Sequence, residues 1–275
     1  LLAFTFQYII FIPYIKKTSY KHKWIIDFKN EDIKKLLRII LPILISSSAI
    51  EINFMISKSL ASELSHGGIS ILNYAYKLQS FVTGIVVTSI ITAVYPQMAK
   101  YGSLKDFKNL RISTRDALST MSILVIPATF GLFTFALPIV ELLFMRGRLN
   151  LDDATSIANV LRYYAFGVFA IGIREILSRI YYSLDDTKRP VINSLVIVGV
   201  NIILSFVLAK FMGIVGLGLA TTISFVVGGG FFAISSTKLI GKIFDKNLLL
   251  NLGKILLASL IMAAGSNLVF NILKL

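Results

Sequence analysis

Glu51 and Lys77 stand alone as charges inside long apolar stretches, and their types and setting point to chemistry. Glu51 lies in LLRIILPILISSSAIEINFMISKSL (36–60) and Lys77 in GGISILNYAYKLQSFVTGIVVTSIITAV (67–94). A charge at the centre of a membrane helix costs about 2.5–3.5 kcal/mol on insertion scales, so it persists where it faces a partner or a polar cavity. Asn73, Tyr76, Lys77, Ser80 and Gly84 recur at i, i+3 and i+4, which puts them on one helix face. An ammonium on such a face attracts an anionic group such as a phosphate. Lys77 is nine residues beyond Gly68, or about 13 Å along a helix, and Glu51 is about a dozen residues into its own. Antiparallel neighbours then bring the two charges to similar depth, where they are expected to pair. The alternatives for this pair are a structural ion pair and a substrate or ion site.

Two further polar clusters interrupt apolar segments. Arg174, Glu175, Ser178, Arg179 and Tyr182 precede the turn LDDTKRPV, with Glu175 and Arg179 at i, i+4 and Arg174 deeper. They suit a gate or a structural latch or, equally, contact with a substrate, and Arg179 suits snorkelling to headgroups. Asn201, Ser205 and Thr221 offer oxygens that could take a hard cation, though a hydrogen bond between helices is the expected use. Enzyme signatures are missing. His22 and His66 are the only histidines, cysteine is absent, and no GxSxG, HExxH or Walker-type loop occurs, so neither catalysis nor a resident cofactor or metal is expected. Asp152–Asp153 and Asp185–Asp186 fall in loops on opposite membrane sides. The first pair is expected to cap a helix and occupy its first turn.

The elements that must position these groups are membrane helices. The chain is 56% hydrophobic and 15% charged, with mean hydropathy +0.79, against about 25% charged in soluble domains. Apolar runs at about 1–15, 38–61, 68–98, 117–145, 155–183, 190–211, 214–237 and 248–273 predict an all-α polytopic protein of about eight transmembrane helices. Of the Lys and Arg residues in loops, 19 fall on one side and five on the other in strict alternation. The rich side is therefore cytoplasmic. Basic loops beside anionic headgroups explain the net charge of +14 without a nucleic-acid partner. The segment KKTSYKHKWIIDFKNEDIKK (16–35) is expected to lie as an amphipathic helix on the cytoplasmic leaflet. Pro42, Pro96, Pro127 and Pro138 kink or interrupt helices. Glycines in MGIVGLGLATT (212–222) and VVGGGFF (226–232) allow close helix packing. The short first run, starting without Met, reads as a cut within a longer protein.

The stretches LASELSHGGISILNYAYKLQSFVTGIVVTSIITAVYPQMAKY (60–101), PIVELLFMRGRLNLDDA (138–154), LRYYAFGVFAIGIREILSRIYYSLDDTKRPV (161–191) and GIVGLGLATTISF (213–225) resemble the MurJ/MviN lipid II flippase family. That resemblance covers nearly the whole chain. It implies one part of a two-lobed, MATE-like transporter of the bacterial cell membrane, which turns lipid-linked peptidoglycan precursor across the bilayer by alternating access. Residues 1–15 would be the last helix of the first lobe, 16–37 a cytoplasmic linker, and 38–275 most of the second lobe. Lys77 takes a cavity position where the family usually has Arg, which keeps the charge but loses the planar fork. The implied substrate site is Lys77 with Glu51, Asn73, Tyr76 and Ser80, facing an undecaprenyl-linked lipid. Some relatives resemble sodium-coupled carriers with carboxylates on two helices of this lobe. The matching positions are Ser57 and Ser205, beside Asn201 and Thr221; they form a candidate cation site that lacks both carboxylates. Coupling would come from an ion or from the membrane potential. Rival readings are a carrier of another lipid-linked oligosaccharide, a cation-coupled small-molecule antiporter, and a non-transporting scaffold.

Overall fold

The computed structural model describes residues 5–6, 9, 11–17, 30–147 and 149–274. The chain divides into a unit of residues Leu1–Ile40 and a unit of residues Leu41–Leu275. In the first, Ile12–Lys17 forms a short helix, α1. Most of the expected surface helix at 16–35, and residues 1–4, 7, 8 and 10 of the expected span at 1–15, lie outside the described residues. Helix α2 runs Glu31–Leu64, so the apolar run 38–61 is helical throughout.

The larger unit continues with α3 (Gly68–Val82), a π-helical turn (Thr83–Val87), α4 (Thr88–Ser103), α5 (Phe107–Thr134), α6 (Ala136–Phe144), α7 (Leu151–Ser183), α8 (Lys188–Met212), α9 (Ile214–Ile240) and α10 (Lys246–Lys274). Among the described residues there is no strand. Six helical stretches among them are long and apolar enough to span a membrane, α3 to α4 counting as one of 36 residues. The expected single span over 117–145 is instead two helices, α5 and α6. Pro138 has no N–H to give the carbonyl four residues back, so the ladder restarts around Phe135, whose φ of −100° and ψ of 21° leave the helical region.

Helix α7 is the central post. Its outer half (Ala154, Ile157, Leu161, Tyr164) packs with Leu72 and Ala75 of α3 and Val140 of α6. Its cytoplasmic half (Val168, Ile176, Ile180, Tyr181) packs with Met121 of α5 and Phe232 of α9. Tyr181 stacks on Phe232 with centroids 5.1 Å apart, and its hydroxyl bonds Ser235. Some of the glycines predicted to allow close approach do so: a Cβ on Gly228 would meet Ile197 at 2.3 Å, and one on Gly218 would come within 3.2 Å of the Val160 carbonyl, whereas one on Gly213 or Gly230 would meet nothing within 4 Å. Gly213, at φ 59°, makes the left-handed turn that lets α9 follow α8 directly.

The helix caps are local. Asn150 caps α7 and forms a capping box with Asp153, so the cap is Asn150 while Asp152 and Asp153 fill the first turn. Asp106 caps α5 and Asp245 caps α10. Backbone N–H groups, from Asn109 and Leu248 respectively, hold both carboxyls below the usual range, and Arg115 adds to the effect at Asp245 across a 2.8 Å ion pair.

At the cytoplasmic ends, α4 and α7 touch backbone to backbone. A Cβ on Gly102 would sit 2.3 Å from the Ser183 carbonyl oxygen, whereas one on Gly199 would meet nothing within 4 Å. Gly102→Ala should therefore destabilise the protein by about 1–3 kcal/mol, and Gly199→Ala should not. Thermal unfolding of the two variants in detergent reads the difference.

Candidate functional site

Helix α3 has two unlike faces. Gly68, Ile71, Leu72, Ala75, Leu78 and Gln79 are buried. The predicted face lies opposite: Tyr76 and Lys77 are exposed, Asn73 and Ser80 are half-buried, and Gly84, in the π-helical turn beyond α3, is exposed. What fixes this orientation is Gln79, which sequence reasoning overlooked. Its Nε2 donates to the Tyr164 carbonyl of α7 at 2.9 Å within the core. Beside it, Thr222 of α9 donates to the neighbouring Tyr163 carbonyl at 2.7 Å. Two helices thus hang from adjacent carbonyls of the central post, and the face bearing Lys77 is turned away from it.

The expected Glu51–Lys77 pair does not form. Among the described residues Lys77 has no carboxylate within 4.0 Å, and Glu51 is exposed. Depth explains this. Counted from the turn joining α2 to α3, Glu51 lies 13 residues in and Lys77 nine, an offset of about 6 Å at 1.5 Å per residue. The contact at matched depth is Phe54 against Tyr76, with ring centroids 4.9 Å apart. The Lys77 ammonium sits 5.6 Å from the centre of the Tyr74 ring, a cation–π placement that leaves its three N–H donors available. Just beyond Ser80, α3 passes into the π-helical turn, where Thr83 folds its hydroxyl back to the carbonyls of Gln79 and Ser80.

Arg174, Glu175 and Arg179 do come together. Arg174 donates from Nη1 to Glu175, from Nε to Asn193 Oδ1 (3.3 Å) and from Nη2 to Ser194 Oγ (2.8 Å), joining α7 to α8. Arg179 Nη2 reaches the other oxygen of Glu175 at 3.3 Å, the expected i, i+4 pair. The Arg179 guanidinium lies 5.5 Å from the Tyr95 ring of α4 and 5.7 Å from that of Tyr182. It is tied inward rather than extended to headgroups. One carboxylate holding two guanidiniums in this way is a latch among α4, α7 and α8.

The third cluster is a hydrogen-bond relay between α8 and α9. Asn201 Nδ2 donates to Thr221 Oγ1 (3.1 Å), Ser205 Oγ donates to Asn201 Oδ1 (3.3 Å), and Thr221 donates to the Leu217 carbonyl (3.0 Å). The oxygens that could ligate a cation are engaged with one another, and Ser57 is buried without being drawn into the relay. No group of three or more His, Cys, Asp or Glu that could hold a metal occurs among the described residues. Beside the relay is a cavity of about 30 Å³ lined by Asn53, Arg174, Ser194 and Asn201. It has room for water, and the buried Oδ1 of Asn53 has no protein partner. Asn53 was legible in principle, four residues before Ser57 on one helix face.

The whole chain, residues 1–275, matches the family described as Lipid II flippase MurJ. The chain belongs to that family. Curated relatives include probable lipid II flippases MurJ of Rickettsia prowazekii, 29% identical over 86% of this chain and 47% of the relative, and of Haemophilus influenzae, 31% identical over 70% of this chain and 38% of the relative. A solved lipid II flippase MurJ in an inward closed conformation superposes with a TM-score of 0.76 at 27% identity, covering 95% of this chain and 53% of its own. A Vibrio cholerae MATE transporter shares the fold at TM-score 0.66 and 17% identity. The chain spans about half the length of the relatives it matches. As a member of this family it is a multi-pass protein of the bacterial inner membrane, and the family is one of transporters.

If the α8–α9 relay is a structural bond, a double-mutant cycle of Asn201→Ala and Thr221→Val should give a coupling of about 0.6 kcal/mol, and no more than about 1.7. The coupling should be the same in sodium and in potassium. Thermal unfolding of the four proteins in each salt is the measurement.

Proposed function

We propose that this chain is the second-lobe portion of a flippase that moves lipid II from the cytoplasmic to the outer leaflet, with Lys77 as its cationic contact for the substrate's diphosphate. Residues 38–275 would be the second-lobe bundle, 1–15 the last helix of the first lobe, and 16–37 the linker between them. The observation that supports this is the unpaired ammonium on an exposed polar face near mid-membrane. In hydrocarbon that face is costly; against a water-filled chamber shared with another lobe it is not. Lys77 would hold the undecaprenyl-linked diphosphate with Asn73, Tyr76 and Ser80 beside it, while the polyprenyl tail stays in lipid. No bond is made or broken, so the reading is of a carrier and not of an enzyme.

Glu51, about one helical turn away in depth from the ammonium, plays no direct part in this arrangement. An empty cationic cavity responds to the membrane potential with about 2.3 kcal/mol per charge per 100 mV, which would favour its return to the negative cytoplasmic side. The latch of Arg174, Glu175 and Arg179 would keep α4, α7 and α8 moving as one body during that rocking. A sodium-coupled alternative lacks support from the residues at 57 and 205, both serines.

The test uses the full-length protein. Lys77→Ala and Lys77→Glu should abolish lipid II translocation in reconstituted vesicles while membrane insertion stays intact, and Lys77→Arg should retain it. Undiminished transport by the Ala variant overturns the role given to Lys77.

A further inference from the structure

Where α4 and α5 meet at the cytoplasmic side, they enclose a cleft of about 160 Å³ whose polar lining is Gln97, Tyr101, Asn109, Ser113, Asp116 and Thr120. None of these residues belongs to the clusters described above. Ser113 is only 7% exposed, and its Oγ has no hydrogen-bond partner. Thr114, Ser122, Ser224 and Ser236, by contrast, each fold back to the carbonyl four residues earlier, and the two other buried hydroxyls without a partner among the described residues, Ser65 and Thr129, do not line this cleft. A buried hydroxyl left without a partner costs about 1–3 kcal/mol, so this one calls for a ligand in the cleft.

The free groups define what the ligand must be. Asn109 donates its Nδ2 to Asp106, which leaves its Oδ1 to accept. Gln97 donates Nε2 to the Tyr101 hydroxyl, which likewise leaves its Oε1. Asp116 has no cation within 4.0 Å among the described residues, because the adjacent Arg115 is committed to Asp245. The lining is therefore rich in acceptors, carries one negative charge and includes no basic side chain. It asks for a compact cation with several N–H donors.

Position narrows the class. The apolar run of α5 begins at Ala117, immediately after Asp116, so the cleft sits at headgroup level. Lys100 and Lys108, both exposed, neighbour the lining residues Tyr101 and Asn109 in sequence. We infer that this cleft holds the headgroup of a phosphoethanolamine lipid of the cytoplasmic leaflet, its primary ammonium among Ser113, Asp116 and the two amide oxygens and its phosphate toward Lys100 and Lys108. A primary ammonium offers three donors to this lining; a trimethylated one offers none. The assignment does not depend on the transported substrate.

The test is headgroup competition. The full-length protein is reconstituted in bilayers with equal amounts of phosphoethanolamine and phosphocholine lipids of identical chains. It is then extracted in mild detergent, and the retained lipids are counted by native mass spectrometry. The wild-type protein should retain the phosphoethanolamine lipid in about tenfold excess, the worth of a charge-assisted hydrogen bond. Asp116→Asn and Ser113→Ala should each bring the ratio toward unity with helicity unchanged. Equal retention by the wild-type protein overturns the assignment without recourse to any variant, and so does an excess that survives both substitutions.

Discussion

A positive charge held near the middle of a membrane is the constraint from which the rest of this architecture follows. Such a charge is tolerated against water or an anion and not against acyl chains. The helix that bears Lys77 must therefore present one face to a polar space, and something must stop it rotating. The buried bond from Gln79 to the Tyr164 carbonyl does this. It pins the opposite side of α3 to the central post, and the apolar packing of Leu72 and Ala75 completes the hold.

Helix α7 is the post because its small residues and free carbonyls admit neighbours on several sides. Gly167 leaves room for the Gln79 amide and the Thr222 hydroxyl, which a Cβ there would meet at 3.1 and 2.9 Å. Closer to the cytoplasm the same helix trades apolar contact for ionic contact, with Glu175 between Arg174 and Arg179. Arrangements of this kind leave few polar atoms unsatisfied within the bundle. Among the described residues the exceptions are atoms of Asn53, Ser65, Ser113, Thr129 and Arg179, and two of these residues, Asn53 and Ser113, line cavities.

The spans and the polar face were legible in the sequence because both follow from periodicity and from the scarcity of charge. The Glu175–Arg179 pair and the Asn201–Thr221 bond followed from spacing within a helix and from side-chain chemistry in an apolar setting. The Glu51–Lys77 pair misled, since isolated opposite charges on neighbouring helices suggest a partnership that an offset of about one turn prevents. The break at Phe135 was signalled by Pro138 but hidden by unbroken hydropathy. Gln79 was invisible for another reason: nothing local distinguishes a buried amide that anchors a helix from one facing water. Its meaning rests on a carbonyl 85 residues away.

Everything assigned to Lys77 requires water at its helix face, and thiol accessibility measures that most directly. Single cysteines at Asn73, Ser80 and Gly84, in the full-length protein with no other cysteine and Lys77 intact, should react readily with a membrane-impermeant maleimide in native membranes. A cysteine at Ile203, exposed on α8 and facing outward from the bundle, should stay unreactive. If these three positions prove as inert as Ile203, no aqueous chamber borders the ammonium and the account is wrong.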